Sequence, residues 1–305
     1  MKTTSDTQET AVRSGAMFSS IVVGIDGSPE SREAARQASL LLEDEGELTL
    51  LAAYDIAPAL GGTGLGVPAY LDADAQRRMT EDALQGALEE IGGPCSPATK
   101  VVRGSAWKEL IREAEREQDS LIAVGSHGIG RAQGIVVGST TTELVHKASR
   151  SVLVARKAGP EFPRRIVVGV DGSPQSLLGV GVAAELVERL GASVRALAAT
   201  GGKPIDIDGL VKIKGLESVV FESFGRSGRA MPIRIPMLEW SERSPVEALL
   251  AASAEADLLI VGSRGLHGFD SLGSVSERIA HRARSSVLIV RSDGRPDAPA
   301  LARGL

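Results

Sequence analysis

The residues whose types and spacing suggest chemistry are Gly125-Ser126-His127-Gly128, nine further residues, and then Gly138-Ser139-Thr140. Glycine has no Cβ, so a backbone carrying it can approach a bulky anion closely. The segment lies between an apolar run and a helical pattern, where the first amides of the helix lack intrahelical partners. Phosphate chemistry follows: the helix dipole favours an anion by about 0.3–1 kcal/mol, and each hydrogen bond to a charged acceptor adds about 1.5–3 kcal/mol. Ser139 and Thr140 add hydroxyl donors. The Gly-Lys-Ser/Thr ending of a P-loop is missing, and with it the lysine that serves β- and γ-phosphates there. A βα loop with glycines for tight turns and Ser139 as a cap accounts for the same residues without any ligand. Asp26 weighs against that simpler account, because it ends the first apolar run, and open α/β sheets bind ligands beyond the carboxyl ends of their strands.

Other candidates carry less. His127, His146, His267 and His281 include no pair at metal-ligand spacing beside a carboxylate cluster, so the sequence assigns no metal. Ser126 and Ser263 adjoin glycine without a Gly-x-Ser-x-Gly elbow or an ordered acid and base, so no catalytic residue is assigned. Trp107 falls on the apolar face of its helix and reads as core.

The elements that position these residues occur twice. IVVGIDGSPES at Ile21–Ser31 returns as IVVGVDGSPQS at Ile166–Ser176, with nine of eleven positions identical at an offset of 145. AVGSHGIG at Ala123 is echoed by IVGSRGLHG at Ile260, and SVLVAR at Ser151 by SVLIVR at Ser286. A repeat of this size is a duplicated domain. In the first copy Ile21–Ile25 reads as a strand buried on both faces, Ser28 as a cap and Pro29 as the first helical residue. Ala34, Ala35, Ala38, Leu41 and Leu42 form a helical stripe, with Gly46 as its stop. Strands are expected at 48–54, 99–103, 121–124 and 152–155, and helices at 72–91, around Trp107–Ala114 and around Leu144–Ala148. Strands alternating with helices predict a doubly wound parallel sheet. In the second copy Pro232 and Pro236 interrupt the strand expected at 233–238, which makes it an edge strand, and Leu216, Val219, Val220 and Phe224 suggest a short helix.

Composition bounds the partners. The 305 residues are 43% hydrophobic and 24% charged, enough for two ordinary cores. A net charge of −5 with no run of five like charges argues against nucleic acid or an anionic membrane as partner. Cys95 stands alone and suits a reducing cytoplasm, and no apolar stretch approaches the roughly 20 residues of a membrane span. Residues 1–16 and 293–305 read as disordered tails around a first domain at 17–157, a linker at 158–164 and a second domain at 165–292.

The opening VVGIDGSPES, the Gly-x2-Gly-x9-Gly-Ser spacing and the closing VLVAR resemble the universal stress protein family in its tandem, two-domain form, over about Phe18–Arg291. The resemblance implies an adenine nucleotide alpha hydrolase-like α/β fold, with five parallel strands per copy in the order 3-2-1-4-5, setting Asp26 next to Gly125. It also implies ATP as ligand, with Mg²⁺ left open. Asp26 would hold the nucleoside end and Ala53 border the base. Val124, Gly125, His127 and Gly128 would wrap ribose and phosphate, while Gly138, Ser139 and Thr140 cap the phosphates. In the second copy Asp171, Gly262, Gly265, Gly273 and Ser274 match, but only seven residues separate Gly265 from Gly273, and the position of Gly104 falls near Glu242. A second equivalent site is therefore in question. The final strands would form sheet edges able to pair the copies as an intrachain pseudo-dimer, with a further homodimer left open. The function expected is a nucleotide-dependent regulator of the stress response acting with a protein partner of unknown identity. A slow ATP hydrolase using the same pocket and a nucleotide-independent interaction protein are the alternatives.

Overall fold

In the computed structural model, residues 17–54, 73–91, 96–128, 137–202, 238–263 and 273–291 are described. The amino-terminal copy runs β1 (Phe18–Gly24), α1 (Pro29–Leu41), β2 (Leu42–Tyr54), α2 (Ala73–Glu90), β3 (Ala98–Arg103), α3 (Ala106–Ala114), β4 (Ser120–Gly125), α4 (Ser139–Lys147) and β5 (Ser151–Ala155). The second copy runs β6 (Arg165–Gly169), α5 (Pro174–Leu190), β7 (Ser193–Ala199), β8 (Leu238–Ser241), α6 (Pro245–Ser253), β9 (Leu258–Gly262), α7 (Ser274–Arg282) and β10 (Ser286–Val290). The tails, Cys95, and the short helix expected around Leu216 lie outside the described residues.

Each copy orders its strands 3-2-1-4-5 with parallel neighbours. The two halves join into one ten-stranded sheet through a single antiparallel pairing, β5 against β10, centred on Leu153 opposite Leu288. β4, β5 and β10 are buried at every position; β5 and β10, expected as the edges of the separate copies, become interior strands by pairing with each other. Successive residues face opposite sides of a strand, which splits the core in two. Ile21, Val23, Leu121 and Leu153 pack on the side of α1, α2 and α5. Val22, Ile122, Val152 and Leu144 pack on the side of α3, α4, α6 and α7. The chain thus has two cores, but each lies along one face of the sheet and crosses both copies, whereas the repeat suggested one core per copy.

Ser28 caps α1 as expected, its hydroxyl accepting from the Ser31 amide at 3.1 Å, and Pro29 opens the helix. Gly46 is not the stop. The helix ends at Leu41, and Leu42 already pairs with Phe18; the register then slips before Ser20 meets Glu47. A Cβ on Gly46 would lie 3.0 Å from the Ser19 carbonyl oxygen and closer still to the Leu42 side chain. The glycine therefore lets an irregular stretch of β2 press against β1. Of the strand expected at 233–238 only Leu238 lies among the described residues; there β8 is an edge strand of the sheet. No helix among the described residues is long and apolar enough to cross a membrane.

Candidate functional site

β1 and β4 are adjacent, yet the chain leaves them in opposite directions, β1 through α1 to β2 and β4 through α4 to β5. Beyond their carboxyl ends lies a cleft of about 270 Å³, at the switch point where a sheet of this topology opens a crevice. Ile25, Leu51, Ala53, Leu110 and Val124 give it an apolar floor. Asp26, His127 and Gly128 line one part, and Gly138, Ser139, Thr140 and Thr141, at the start of α4, line another. All nine residues that the sequence assigned in the first copy meet here, Gly125 included.

Local chemistry fixes the acidic side. Gly27 turns the chain at φ +83°, a region that favours glycine. Asp26 Oδ1 accepts from the Ser28 amide at 3.0 Å and the Ser28 hydroxyl at 2.6 Å, so the residue that caps α1 also orients the carboxylate. A Cβ on Gly128 would run into Asp26 Oδ2, which explains that glycine by carboxylate packing. Gly125 has a different reason. A Cβ there would sit 2.7–2.9 Å from the backbone and Cβ of Glu30, so Gly125 lets β4 touch the first turn of α1. Its role is internal packing, where the sequence reading had proposed anion approach.

Gly138 is unlike both. A Cβ built on it meets nothing nearer than 3.7 Å, so the fold itself does not demand a glycine. Its amide donates to the Ser126 carbonyl at 2.9 Å, and its carbonyl accepts the first bond of α4, from the Thr142 amide at 2.9 Å. Among the described residues no side chain caps α4, and no acidic residue occupies its first turn. Among the described residues, nothing therefore compensates the dipole of the helix end facing the cleft. Thr141 is already committed, its hydroxyl donating to the Gly125 carbonyl at 2.9 Å. His127 Nδ1 lies 3.0 Å from the Ser126 hydroxyl, while its buried Nε2 has no hydrogen-bond partner among the described residues. An apolar floor, a fixed carboxylate, a buried ring nitrogen and an open helix terminus are what a nucleotide's base, sugar and phosphates would use.

A family model described as the universal stress protein family matches residues 17–156 and again 163–291. The chain belongs to the universal stress protein family. A universal stress protein of Mycolicibacterium smegmatis is 30% identical over 300 residues, covering 89% of this chain and 96% of that one. One from Mycobacterium tuberculosis is 29% identical over 298 residues, covering 91% and 98%. Among solved structures, a universal stress protein from Archaeoglobus fulgidus superposes with a TM-score of 0.62 at 20% identity, covering 90% of this chain and 98% of that one. A Pseudomonas aeruginosa protein titled a putative universal stress protein gives 0.65 at 18%, covering 90% and 94%. These two likenesses support the fold.

In the second universal stress protein copy the acidic corner is repeated. Asp171 Oδ1 accepts from the Ser173 amide at 3.0 Å and hydroxyl at 2.6 Å, after Gly172 at φ +83°. Gly262 repeats the packing role of Gly125: a Cβ would lie 2.9 Å from the Ser176 amide nitrogen. Gly273 and Ser274 again begin a helix without a side-chain cap, but Glu277 places a carboxylate in its first turn. Gly265 lies outside the described residues.

Sequence reasoning missed the floor residues Leu51 and Leu110, because cleft lining and core share one apolar signal. Trp107 is half-buried against the core as expected, and Lys147 Nζ of α4 lies 4.4 Å from its ring centroid, linking α3 to α4. His146 and His281, 135 positions apart, come together with Glu277, so that one ligand atom from each lies within 4.8 Å of the others. Spacing along the chain gave no signal for that, since the β5–β10 joint makes the contact.

Proposed function

We propose that the amino-terminal copy binds ATP and that its occupancy makes the protein a nucleotide-dependent regulator of the stress response. The observation that carries this reading is the uncapped start of α4, whose Gly138 is required by no neighbour and opens onto an apolar cleft. The base would lie over Leu51, Ala53 and Leu110, Asp26 would meet the ribose, and His127 Nε2 would reach the sugar-phosphate junction. The α4 amides and the Ser139 and Thr140 hydroxyls would hold the phosphates. Asp26 and His127 are the only titratable residues among those described as lining the cleft, and none is a lysine or arginine. Fast phosphoryl transfer depends on positioned cations and a base. We therefore read the cleft as one that holds a nucleotide, with Arg131 of the intervening loop lying outside the described residues.

Mass spectrometry of ligand released from the purified, denatured protein, paired with ATP titration calorimetry, tests the reading. Retained ATP or a saturable binding heat supports it. ADP and phosphate accumulating with time would replace the regulator by a hydrolase. An empty protein giving no heat with ATP would sink the proposal.

A further inference from the structure

The second constellation lies away from the cleft, where α4 and α7 meet across the joint. His146 and His281 are each the eighth residue of their helix, so they occupy equivalent positions in the two copies. The antiparallel pairing of β5 with β10 relates the copies by an approximate twofold, which brings these equivalent residues together. Glu277 is one helical turn before His281 and so shares its face of α7. We propose that His146, Glu277 and His281 form a three-ligand site for a divalent transition ion of the Zn²⁺ class, stapling the two copies across their joint.

The geometry suits such an ion. His146 Nε2 and Glu277 Oε1 are 3.4 Å apart, and one ligand atom of each residue lies within 4.8 Å of the other two. A tetrahedral ion with bonds of about 2.0–2.1 Å separates its ligand atoms by about 3.3 Å, so small side-chain rotations complete the set. Two imidazoles and one carboxylate are a donor set that Zn²⁺ and Co²⁺ accept. The side chains of His146 and Glu277 are 41% and 42% exposed, which leaves a path for the ion and room for water as a fourth ligand. A plain surface ion pair accounts for His146 with Glu277 and leaves the approach of His281 to both unexplained. Arg156 is a cation close enough to His281 to act on it electrostatically. Its guanidinium is held by the carbonyls of Ala280 and Ser285, at 2.5 and 3.1 Å.

The test uses the full chain without nucleotide, so its outcome is independent of the ATP reading. ZnCl₂ is titrated calorimetrically into the wild type, His146→Asn, His281→Asn and Glu277→Gln, and CoCl₂ is added while visible absorption is followed. One equivalent of Zn²⁺ is expected, with the d–d bands of low-coordinate Co²⁺. Each histidine variant should weaken Zn²⁺ by more than the about tenfold that loss of an outer-shell partner costs at the least. In the unmutated protein Zn²⁺ should also shield both histidines from carbethoxylation, a readout that does not depend on any variant folding. A wild type that binds no Zn²⁺ overturns the proposal. So does a His146→Asn/His281→Asn protein that binds it as tightly as the wild type, or histidines that Zn²⁺ leaves equally reactive.

Discussion

Gly125 has no room for a side chain, and Gly138 has. At Gly125 the obstacle is the backbone of Glu30, which cannot rotate away, so Gly125→Ala should strain the β4–α1 contact. The expected loss is about 1–3 kcal/mol of stability, the usual cost of overpacking. Gly138→Ala should change stability by less than about 0.5 kcal/mol, since its Cβ would find ordinary contacts and its φ of −59° suits any residue. Denaturant unfolding of the two variants checks this contrast, and equal losses would remove the argument that Gly138 answers to a ligand. Gly138→Asp goes further. Aspartate is a good helix cap, so the fold should keep its stability, while the carboxylate occupies the space proposed for phosphate. ATP affinity should fall by at least about 2 kcal/mol, roughly thirtyfold, by calorimetry. The Gly-x2-Gly-x9-Gly-Ser spacing picked out Gly125, Gly128 and Gly138, three of the four glycines described as lining the cleft, Gly24 being the fourth. It could not show that two of them serve packing, because a glycine chosen by Glu30 or Asp26 is spelled like one chosen by a nucleotide.

The helices that begin at Ser139 and Ser274 are the same element in two copies with different electrostatics. Neither has a side-chain cap among the described residues, but α4 has no acid in its first turn while α7 has Glu277. A carboxylate at that position offsets the helix dipole and repels phosphate by a further increment on the order of 0.3–1 kcal/mol. The preceding loop is also two residues shorter in the second copy, which removes amides that could reach a polyphosphate. Titration with ATP should therefore show one tight site and a second that is much weaker or absent; two sites of equal affinity would refute the comparison. At this scale the sequence was most legible where a period was strong. Ile21–Ile25, Leu121–Val124 and Val152–Ala155 fall in strands or at their ends, and the stripe through Trp107, Leu110, Ile111 and Ala114 falls on α3. Boundaries failed where tertiary contact overrode local signals, as at Gly46, whose apparent stop is a close approach between β1 and β2.

Across the whole molecule the joint between the copies is held by more than strand pairing. The arginine closing each SVLVAR or SVLIVR motif crosses to the other copy. The Arg156 amide donates to the Ser286 hydroxyl at 3.0 Å, and the Arg291 amide donates to the Ser151 hydroxyl at 3.1 Å. The Arg156 guanidinium reaches the carbonyls of Ala280 and Ser285, and that of Arg291 reaches the Val145 carbonyl at 2.6 Å. Each cation thus lies at the carboxyl end of the opposite copy's helix, where the dipole favours it. The exposed β-rich edges announced the pairing in the sequence, but the reciprocal clasp needed the register Leu153 opposite Leu288, which no single copy encodes. Burial lowers the Arg156 pKa to about 10, so at neutral pH the residue remains charged and is held by those carbonyls. Arg156→Ala would leave the Ala280 and Ser285 carbonyls without this donor, at about 1.5–3 kcal/mol for a hydrogen bond to a charged group. Arg165→Ala breaks a pair with Asp257 at 2.9 Å whose arginine side chain is 61% exposed, and pairs of that kind contribute about 0–1 kcal/mol. Urea unfolding should therefore separate the two variants, with Arg156→Ala clearly the less stable. Equal stability would mean that the arginines do not hold the copies together and that strand pairing and the shared cores alone make the joint.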